Sequence, residues 1–198
     1  MLQPRSPCIG ILQYGAGNVG SVQRALTRLR VSWRVIEDAE ELQELSGLIV
    51  PGVGAAKAAM DCLCNRGLTE PLRAFDRPFL GLCLGMQLLF ERSEEGPVEC
   101  LGVIKGVVRG LSNSVTKPHM GWNMLRQAQH DTALGYAYFV HSYACIPDSS
   151  DVITMTVQYG NEVCAGVRQE NFFGVQWHPE KSGEVGDRYL LSFTALCR

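Results

Sequence analysis

The chain has 198 residues and a mass of 21.8 kDa, with 18 Lys plus Arg, 20 Asp plus Glu and a net charge of −2. This balance argues against a broad basic surface for nucleic acid, and an apolar content of 46% excludes a disordered chain. No apolar run approaches the ~18 residues of a membrane span, and Pro4, Arg5 and Pro7 interrupt any signal-like segment. We therefore expect one cytoplasmic domain over residues 1–198.

The first half of the chain alternates predicted strands with predicted helices. Strands are predicted at residues 9–14, 33–37, 48–50 and 78–82, and helices at residues 20–30, from after Gly54 to about Phe75, and at residues 84–91. This alternation is typical of an α/β fold, in which parallel strands are buried on both faces.

The second half is richer in short β segments. Strands are predicted at residues 103–109, 123–125, 138–143, 152–158, 163–168 and 172–177. A closing helix at residues 186–197 should turn Tyr189, Leu190 and Phe193 inward. We expect the β segments to extend the parallel sheet as a mixed or antiparallel sheet.

The chain has eight cysteines, which are Cys8, Cys62, Cys64, Cys83, Cys100, Cys145, Cys164 and Cys197. In a cytoplasmic protein of this size we expect reduced thiols rather than disulfides. No CxxC motif occurs, and Cys62-x-Cys64 has no second pair, so the spacing does not favour a zinc site. Most of these cysteines are expected to be small buried hydrophobic residues.

A glycine-rich segment near the N-terminus matches a nucleotide-binding pattern. Gly15-Ala-Gly17-Asn-Val-Gly20 is a literal GxGxxG between a strand and a helix, with Glu37 and Asp38 about 20 residues further on. NAD binding would also require a second mononucleotide-binding half, and the chain becomes β-rich instead. A turn that needs positive φ and close packing is the alternative interpretation.

The strongest chemical signal is a cysteine between two glycines at a strand–helix junction. In Pro78-Phe-Leu-Gly-Leu-Cys-Leu-Gly-Met-Gln87, Gly81 and Gly85 flank Cys83 at two residues on each side. This is the pattern of a nucleophile elbow, with cysteine in place of serine. The turn would place Cys83 at a helix N-terminus, which favours a thiolate. A buried structural cysteine is the alternative.

A cysteine nucleophile needs a base and a group that orients the base. Of the four histidines, which are His119, His130, His141 and His178, the last is followed by Pro179 and Glu180. Residues at i and i+2 of an extended chain point to the same side, so Glu180 can hold His178 while His178 takes the proton of Cys83.

Acyl transfer also needs hydrogen-bond donors for an oxyanion. The backbone N–H of Leu84 follows the nucleophile, and Pro51-Gly52-Val53-Gly54 ends a neighbouring strand. We expect the peptide between Gly52 and Val53 to supply the second donor and to rotate between two states, with Gly52 absorbing the change. A plain strand-end turn is the alternative.

These motifs resemble those of the class I (triad) glutamine amidotransferases and, more narrowly, the glutaminase subunits of imidazole glycerol phosphate synthase. The resemblance covers nearly the whole chain. It rests on residues 14–18, 51–54, 80–95, 118–123, 138–143 and 178–182. Two positions depart from the family pattern: Gln13 stands where Asp is usual, and Trp177 stands where Phe is usual.

The resemblance implies a flavodoxin-like fold and a glutaminase without metal or redox cofactor. Glutamine would be hydrolysed through a thioester on Cys83, with Gln87, Ser142 and Tyr143 binding the substrate. The oxyanion hole would be formed by Gly52, Val53 and Leu84.

The resemblance also implies a partner, a (β/α)8-barrel cyclase subunit that uses the ammonia. The cyclase would make imidazole glycerol phosphate and aminoimidazole-carboxamide ribotide for histidine biosynthesis. Asn18, Trp122, Tyr138 and Lys181 would lie in loops at the docking face and ammonia passage. Ordinary core aromatics are the alternative for Trp122 and Tyr138. Another class I amidotransferase, a γ-glutamyl hydrolase relative or a non-catalytic binding module of the same fold remain as alternative functions.

Overall fold

The computed structural model describes residues 8–197. The strands are β1 (Ile9–Leu12), β2 (Trp33–Ile36), β3 (Gly47–Gly52), β4 (Phe79–Cys83), β5 (Phe90–Ser93), β6 (Val98–Glu99), β7 (Ile104–Gly110), β8 (His119–Gln127), β9 (Thr132–His141), β10 (Tyr143–Pro147), β11 (Ile153–Tyr159), β12 (Asn161–Gln169) and β13 (Phe172–Val175). The helices are α1 (Val19–Arg28), α2 (Ala56–Asn65), α3 (Thr69–Arg73), α4 (Leu84–Gln87) and α5 (Gly183–Thr194). Short 3₁₀ turns occupy Ala39–Glu44, Ser150–Val152 and Pro179–Lys181.

Nine strands form the main sheet, in the order β2-β1-β3-β4-β13-β12-β11-β8-β9. The first five are parallel, and the remaining four are antiparallel. Every residue of β1, β3 and β4 is buried, as expected for strands covered on both faces. The predicted α/β architecture and the antiparallel extension are therefore confirmed.

Two apolar clusters cover the two faces of this sheet. The cluster on one face includes Met60 and Leu63 of α2, and the cluster on the other includes Leu26 of α1 together with Leu190 and Phe193 of α5. Leu190 and Phe193 thus point inward, as predicted. Helix α5 begins at Gly183 rather than at the predicted Gly186, three residues earlier, and Ser182 is its N-cap.

A second sheet of four strands, in the order β10-β7-β5-β6, was not predicted. The helix predicted at residues 84–91 ends at Gln87, and Phe90–Ser93 instead forms β5, paired with β7 and β6. A short apolar run is compatible with helix or strand, and here the long-range strand pairing decides. Predicted strand 138–143 is also two strands, β9 and β10, which belong to different sheets.

All eight cysteines are free, and five of them are buried, as expected for small apolar residues. Within residues 8–197 no three His, Cys, Asp or Glu side chains are grouped to hold a metal ion. No helix in the described part of the chain has both the length and the apolar character needed to cross a membrane.

Candidate active site

Cys83 sits at a sharp turn between β4 and α4. Its backbone has φ 53° and ψ −105°, in the region that side chains other than glycine rarely adopt, and its side chain is 7% exposed. Strain of this kind is typical of functional sites. Leu84 is the first residue of α4, so its N–H has no partner inside the helix and can face a ligand.

The two glycines around Cys83 are required by close backbone contacts. A Cβ atom at Gly81 would lie 2.3 Å from the carbonyl oxygen of Gly85, and one at Gly85 would lie 1.9 Å from the carbonyl oxygen of Val50. Neither position has room for a side chain. The predicted elbow is therefore present, although α4 is a single turn and offers less helix dipole than the predicted helix.

His178 and Glu180 form the predicted pair. Nδ1 of His178 is 2.8 Å from Oε1 of Glu180, and both side chains are almost fully buried. The contact arises in the 3₁₀ turn Pro179–Lys181 rather than in an extended segment, so the expected pair forms by a different local geometry. This bond places the proton of a neutral imidazole on Nδ1 and leaves Nε2 as the acceptor.

Ser182, to which the sequence analysis assigned no role, holds the backbone on either side of this pair. Its hydroxyl donates to the carbonyl of His178 at 2.7 Å and accepts from the N–H of Tyr138 at 2.9 Å. The N–H of His178 in turn donates to the carbonyl of Tyr138 at 2.9 Å. These bonds fix the imidazole relative to β9.

The surroundings of His178 favour its charged form. Burial by itself lowers the pKa of His178, but the interactions with Cys83 and with Glu180 outweigh burial and raise the pKa to about 10. Nε2 has no hydrogen-bond partner among residues 8–197. Sγ of Cys83 is instead 3.9 Å from the carbonyl oxygen of Val140. The imidazole is thus able to hold the proton of the thiol.

The end of β3 lies beside the nucleophile, because Gly52 is the register partner of Cys83 in the parallel pair β3–β4. A Cβ atom at Gly52 would lie 2.7 Å from Cβ of Leu84, so this glycine is explained by close packing. Gly54, with φ 94°, carries the positive backbone angle instead. Rotation of the Gly52–Val53 peptide stays a prediction, and Gly54, where a Cβ atom would meet open space, offers a second position for a hinge.

A cavity of about 220 Å³ opens at Cys83, the size for a small metabolite. It brings together the residues expected to bind substrate with part of the expected oxyanion loop, residues 51–54. Its lining residues are Val53, Gly54, Cys83, Leu84, Gln87, Glu95, Val140, His141, Ser142 and Tyr143.

Two polar residues at this site were missed from the sequence. Glu95 lines the cavity and accepts from the N–H of Ala56 at 3.0 Å. Gln176 is fully buried, and its amide nitrogen lies 3.5 Å from Sγ of Cys83. Gln176 directly follows β13 and precedes His178 by two residues, so its place beside the His178 motif was a usable signal, as was the carboxylate of Glu95 close after the elbow.

Three of the residues expected at the docking face lie close together. The rings of Trp122 and Tyr138 meet edge to face at 6.1 Å, and Nζ of Lys181 is 5.8 Å from the centre of the Tyr138 ring. Tyr138 also lies 6.5 Å from the ring of His178. Trp122 is 58% exposed, which contradicts the core alternative for this residue, and Tyr138 is half-buried. The two aromatics lie in β8 and β9 rather than in loops, and Asn18 caps α1 by accepting from the N–H of Ser21.

The whole fold and the site match one family of enzymes. The model of the class I glutamine amidotransferases matches residues 11–196. The imidazole glycerol phosphate synthase subunit HisH of Geobacillus thermodenitrificans is 46% identical, over 95% of this chain and 95% of its own length. The HisH subunit of Xanthomonas euvesicatoria is 44% identical over 95% and 97%. The chain belongs to the class I glutamine amidotransferases, in the HisH family.

Other similarities agree with this assignment. The chloroplastic imidazole glycerol phosphate synthase hisHF of Arabidopsis thaliana is 44% identical over 93% of this chain, which spans 33% of that longer relative. Among solved structures, a glutamine amidotransferase has a TM-score of 0.72 at 21% identity, over 94% of this chain and 98% of its own. PurLQS from Thermotoga maritima has a TM-score of 0.72 at 19% identity, over 98% and 100%. These two structures support the amidotransferase fold alone.

In this amidotransferase the GxGxxG segment has a packing role. Gly17 has φ 152°, and a Cβ atom there would lie 2.9 Å from the carbonyl oxygen of Pro51. Glu37, the residue expected for a ribose, accepts from Gln13 and from Arg66, each at 3.0 Å. The structure therefore favours the turn over the nucleotide-binding interpretation, and it uses the unusual Gln13 to hold Glu37.

The second departure from the family pattern is also accommodated. Trp177 is 1% exposed and its ring packs edge to face on Tyr189 at 5.2 Å. This contact explains why Tyr189 faces inward, as predicted, although it is only half-buried.

Proposed function

We propose that this chain hydrolyses glutamine to glutamate and ammonia on Cys83 and delivers the ammonia to a synthase subunit. The single observation that carries the proposal is the position of Cys83. It lies on a strained elbow and opens into a small cavity, next to a buried His178–Glu180 pair whose surroundings favour a charged imidazole. Membership in the HisH family supports the same activity.

The geometry accounts for each step of an acyl transfer. Sγ of Cys83 attacks the carboxamide carbon of glutamine, and His178 gives its proton to the departing nitrogen, which leaves as ammonia. The N–H of Leu84 and a peptide of residues 52–54 stabilise the oxyanion. Water, deprotonated by His178, then hydrolyses the thioester and releases glutamate. Glu180 keeps the imidazole oriented and stabilises its charge.

The cavity offers acceptor atoms for the substrate. The Glu95 carboxylate and the amide oxygen of Gln87 suit the α-amino group of glutamine, and Ser142 and Tyr143 also line the cavity. A carboxylate beside an uncharged amide attracts an ammonium group, so this wall selects an amino acid over a simple amide.

We further propose that the partner is a (β/α)8-barrel cyclase subunit, which makes imidazole glycerol phosphate and aminoimidazole-carboxamide ribotide in the cytoplasm. The similarity to one third of a longer hisHF synthase supports a partner that supplies the rest of that enzyme. The docking face would be the outer side of the β8–β9 hairpin, where Met120, Trp122 and Tyr136 are 62%, 58% and 58% exposed. Exposed aromatic and Met side chains of this kind are enriched at interfaces.

Two measurements test this proposal. The chain should co-purify with the cyclase subunit, and the complex should turn over its phosphorylated substrate with glutamine or with ammonia as nitrogen source. Cys83→Ala should reduce the glutamine-dependent rate ~10⁴-fold or more while the ammonia-dependent rate persists. Cys64→Ala, on the exposed side of α2, is the matched control and should change neither rate. Glutamine hydrolysis at a comparable rate in Cys83→Ala would contradict the proposal.

A further inference from the structure

Two buried histidines outside the catalytic pair lie behind the cavity. His119 of β8 and His141 of β9 are register partners, 3% and 5% exposed, and Nδ1 of His119 is 3.0 Å from Nε2 of His141. His141 also lines the cavity. The ring of His119 stacks on Phe139 and on Tyr159, with centroid distances of 4.6 and 3.9 Å. These contacts hold both rings in place.

The neighbours of the pair allow only one direction for its hydrogen bonds. Nδ1 of His141 is 2.8 Å from the carbonyl oxygen of Tyr143, which only accepts, so Nδ1 carries a proton. Nε2 of His119 is 3.3 Å from the amide nitrogen of Asn123, which only donates, so Nε2 carries none. The central bond therefore runs from Nδ1–H of His119 to Nε2 of His141, and both rings are neutral.

The backbone fixes the orientation of Asn123, at the start of this series of hydrogen bonds. Its amide nitrogen also donates to the carbonyl of Gln158 at 2.9 Å, and its amide oxygen accepts from the N–H of Met124 at 2.8 Å. An inverted amide would lose both bonds. Asn123 of β8 thus sets the direction of the whole series of hydrogen bonds.

At its other end this series of hydrogen bonds reaches the wall of the cavity in which glutamine is proposed to bind. The carbonyl of Tyr143 accepts a second bond, from the amide nitrogen of Gln87 at 3.2 Å, and this nitrogen also donates to Oε1 of Gln176 at 3.0 Å. Both N–H groups of Gln87 are therefore used. Both of these hydrogen bonds use the amide nitrogen, so the amide oxygen of Gln87 is the atom left for a ligand.

We propose that His119 and His141 are positioning residues that keep the amide of Gln87 turned with its oxygen toward the α-amino group of glutamine. The inference rests on the proposed glutaminase function. The Tyr143 carbonyl is the acceptor shared by His141 and Gln87. If it loses the hydrogen bond from His141, the Tyr143 peptide is free to turn. The Gln87 amide then loses one of its two acceptors and can present N–H groups to an ammonium, which repels them.

The electrostatics agree with neutral rings. Burial lowers the pKa of His141 to about 4, and the nearby His119 and His178 act in the same direction, while the bond to Tyr143 opposes them. Burial also lowers the pKa of His119. The pair therefore keeps its one-way bonds at neutral pH, beside a catalytic histidine that is charged.

The test compares glutamine with glutaramate, which is glutamine without its α-amino group. In the complex with the cyclase subunit, the KM for glutamine and the inhibition constant of glutaramate are measured for two variants of His119. His119→Phe keeps the stacked ring and removes the donor, and His119→Asn retains a donor near the Nδ1 position. Glu95→Gln, which weakens the amino-group site directly, is the positive control.

We expect His119→Phe to raise the KM for glutamine about tenfold, the loss of one hydrogen bond to a charged group, with little change in kcat. The inhibition constant of glutaramate should change less than about twofold, on the same scale of one lost bond, and His119→Asn should restore the KM. In ¹⁵N-resolved spectra of the wild-type protein, both histidines should be neutral Nδ1–H tautomers, with the exposed His130 as reference.

Equal weakening of glutamine and glutaramate, or no recovery in His119→Asn, would overturn the inference while leaving the glutaminase function intact. An Nε2–H tautomer at either position would overturn it too, and this readout does not require that His119→Phe folds. If the wild-type complex and every variant alike fail to hydrolyse glutamine, the proposed function fails and the inference fails with it.

Discussion

The regions around His178 and His141 are both buried beside Cys83, yet one favours a charged imidazole and the other a neutral one. The interactions with Cys83 and Glu180 raise the pKa of His178 to about 10, whereas burial beside a neutral histidine lowers the pKa of His141 to about 4. Burial disfavours an imidazolium in both regions. The comparison teaches that the neighbouring groups decide the charge: Cys83 and Glu180 favour an imidazolium that can carry a proton, whereas neutral hydrogen-bond partners leave the ring of His141 neutral and fixed.

The largest expected effect comes from removing the charge that distinguishes the two regions. Glu180→Gln leaves the imidazole of His178 without its carboxylate, so we expect kcat for glutamine hydrolysis to fall about 10⁴-fold. Steady-state kinetics of the complex measure this loss. Glu184→Gln, exposed in the first turn of α5, is the matched control and should retain full activity. A loss below tenfold in Glu180→Gln would mean that the two histidines differ less than their surroundings indicate.

A second variant tests the loop at Gly54, a part of the cavity lining to which neither histidine belongs. Gly54 has φ 94° with open space around it, so Gly54→Ala strains the backbone of the oxyanion loop without a steric clash. We expect the ratio of glutaminase turnover with and without the cyclase subunit to change up to ~10²-fold, the size of one oxyanion donor.

Gly52→Ala is the informative contrast, because its Cβ atom would collide with Leu84 and reduce turnover in both states. An unchanged ratio in Gly54→Ala would rule out Gly54 as the hinge of a switch.

The β8–β9 hairpin connects the two regions to the proposed docking face. Trp122 lies on its outer side against Tyr138, which reaches His178, while His119 and His141 lie on its inner side. We expect Trp122→Ala to weaken binding of the cyclase subunit by about 2 kcal/mol, or roughly 30-fold. Titration calorimetry measures this change. Ile146→Ala, an exposed apolar residue of the second sheet, should leave the affinity unaltered; equal losses in both variants would argue against the hairpin as the docking face.

The smallest expected effect is on stability. The free energy of unfolding should depend on pH in two separate ranges, an alkaline limb and an acid limb. The folded pKa of His178 exceeds its ordinary value of 6.5, so its contribution is complete below pH 6.5 and is lost as pH rises toward 10. The folded pKa of His141 is below 6.5, so stability is lost as pH falls from 6.5 toward 4. Each limb has a slope of at most about 1.4 kcal/mol per pH unit.

Urea unfolding at several pH values measures both limbs. His178→Gln should flatten the alkaline limb alone, and His141→Gln should flatten the acid limb alone. If either variant flattened both limbs, or neither, the opposite protonation of the two histidines would be wrong.

The sequence by itself determined the features that depend on neighbours along the chain. The strand–helix alternation predicted the parallel half, and the glycines at positions 81 and 85 predicted the elbow at Cys83. His178 and Glu180 are two residues apart, so their contact needed only a local turn. Such patterns are readable because short-range sterics and backbone geometry restrict the conformations of a few adjacent residues.

The tertiary structure alone decided what separate segments do together. The apolar run after Gln87 became β5 because β7 was available to pair with it. Gln176 meets Cys83 across 93 residues, and His119 meets His141 across 22. Each of these polar side chains is buried and therefore requires a hydrogen-bond partner. The sequence does not show which partner the fold supplies, because strand order and register set that choice through many long-range contacts at once.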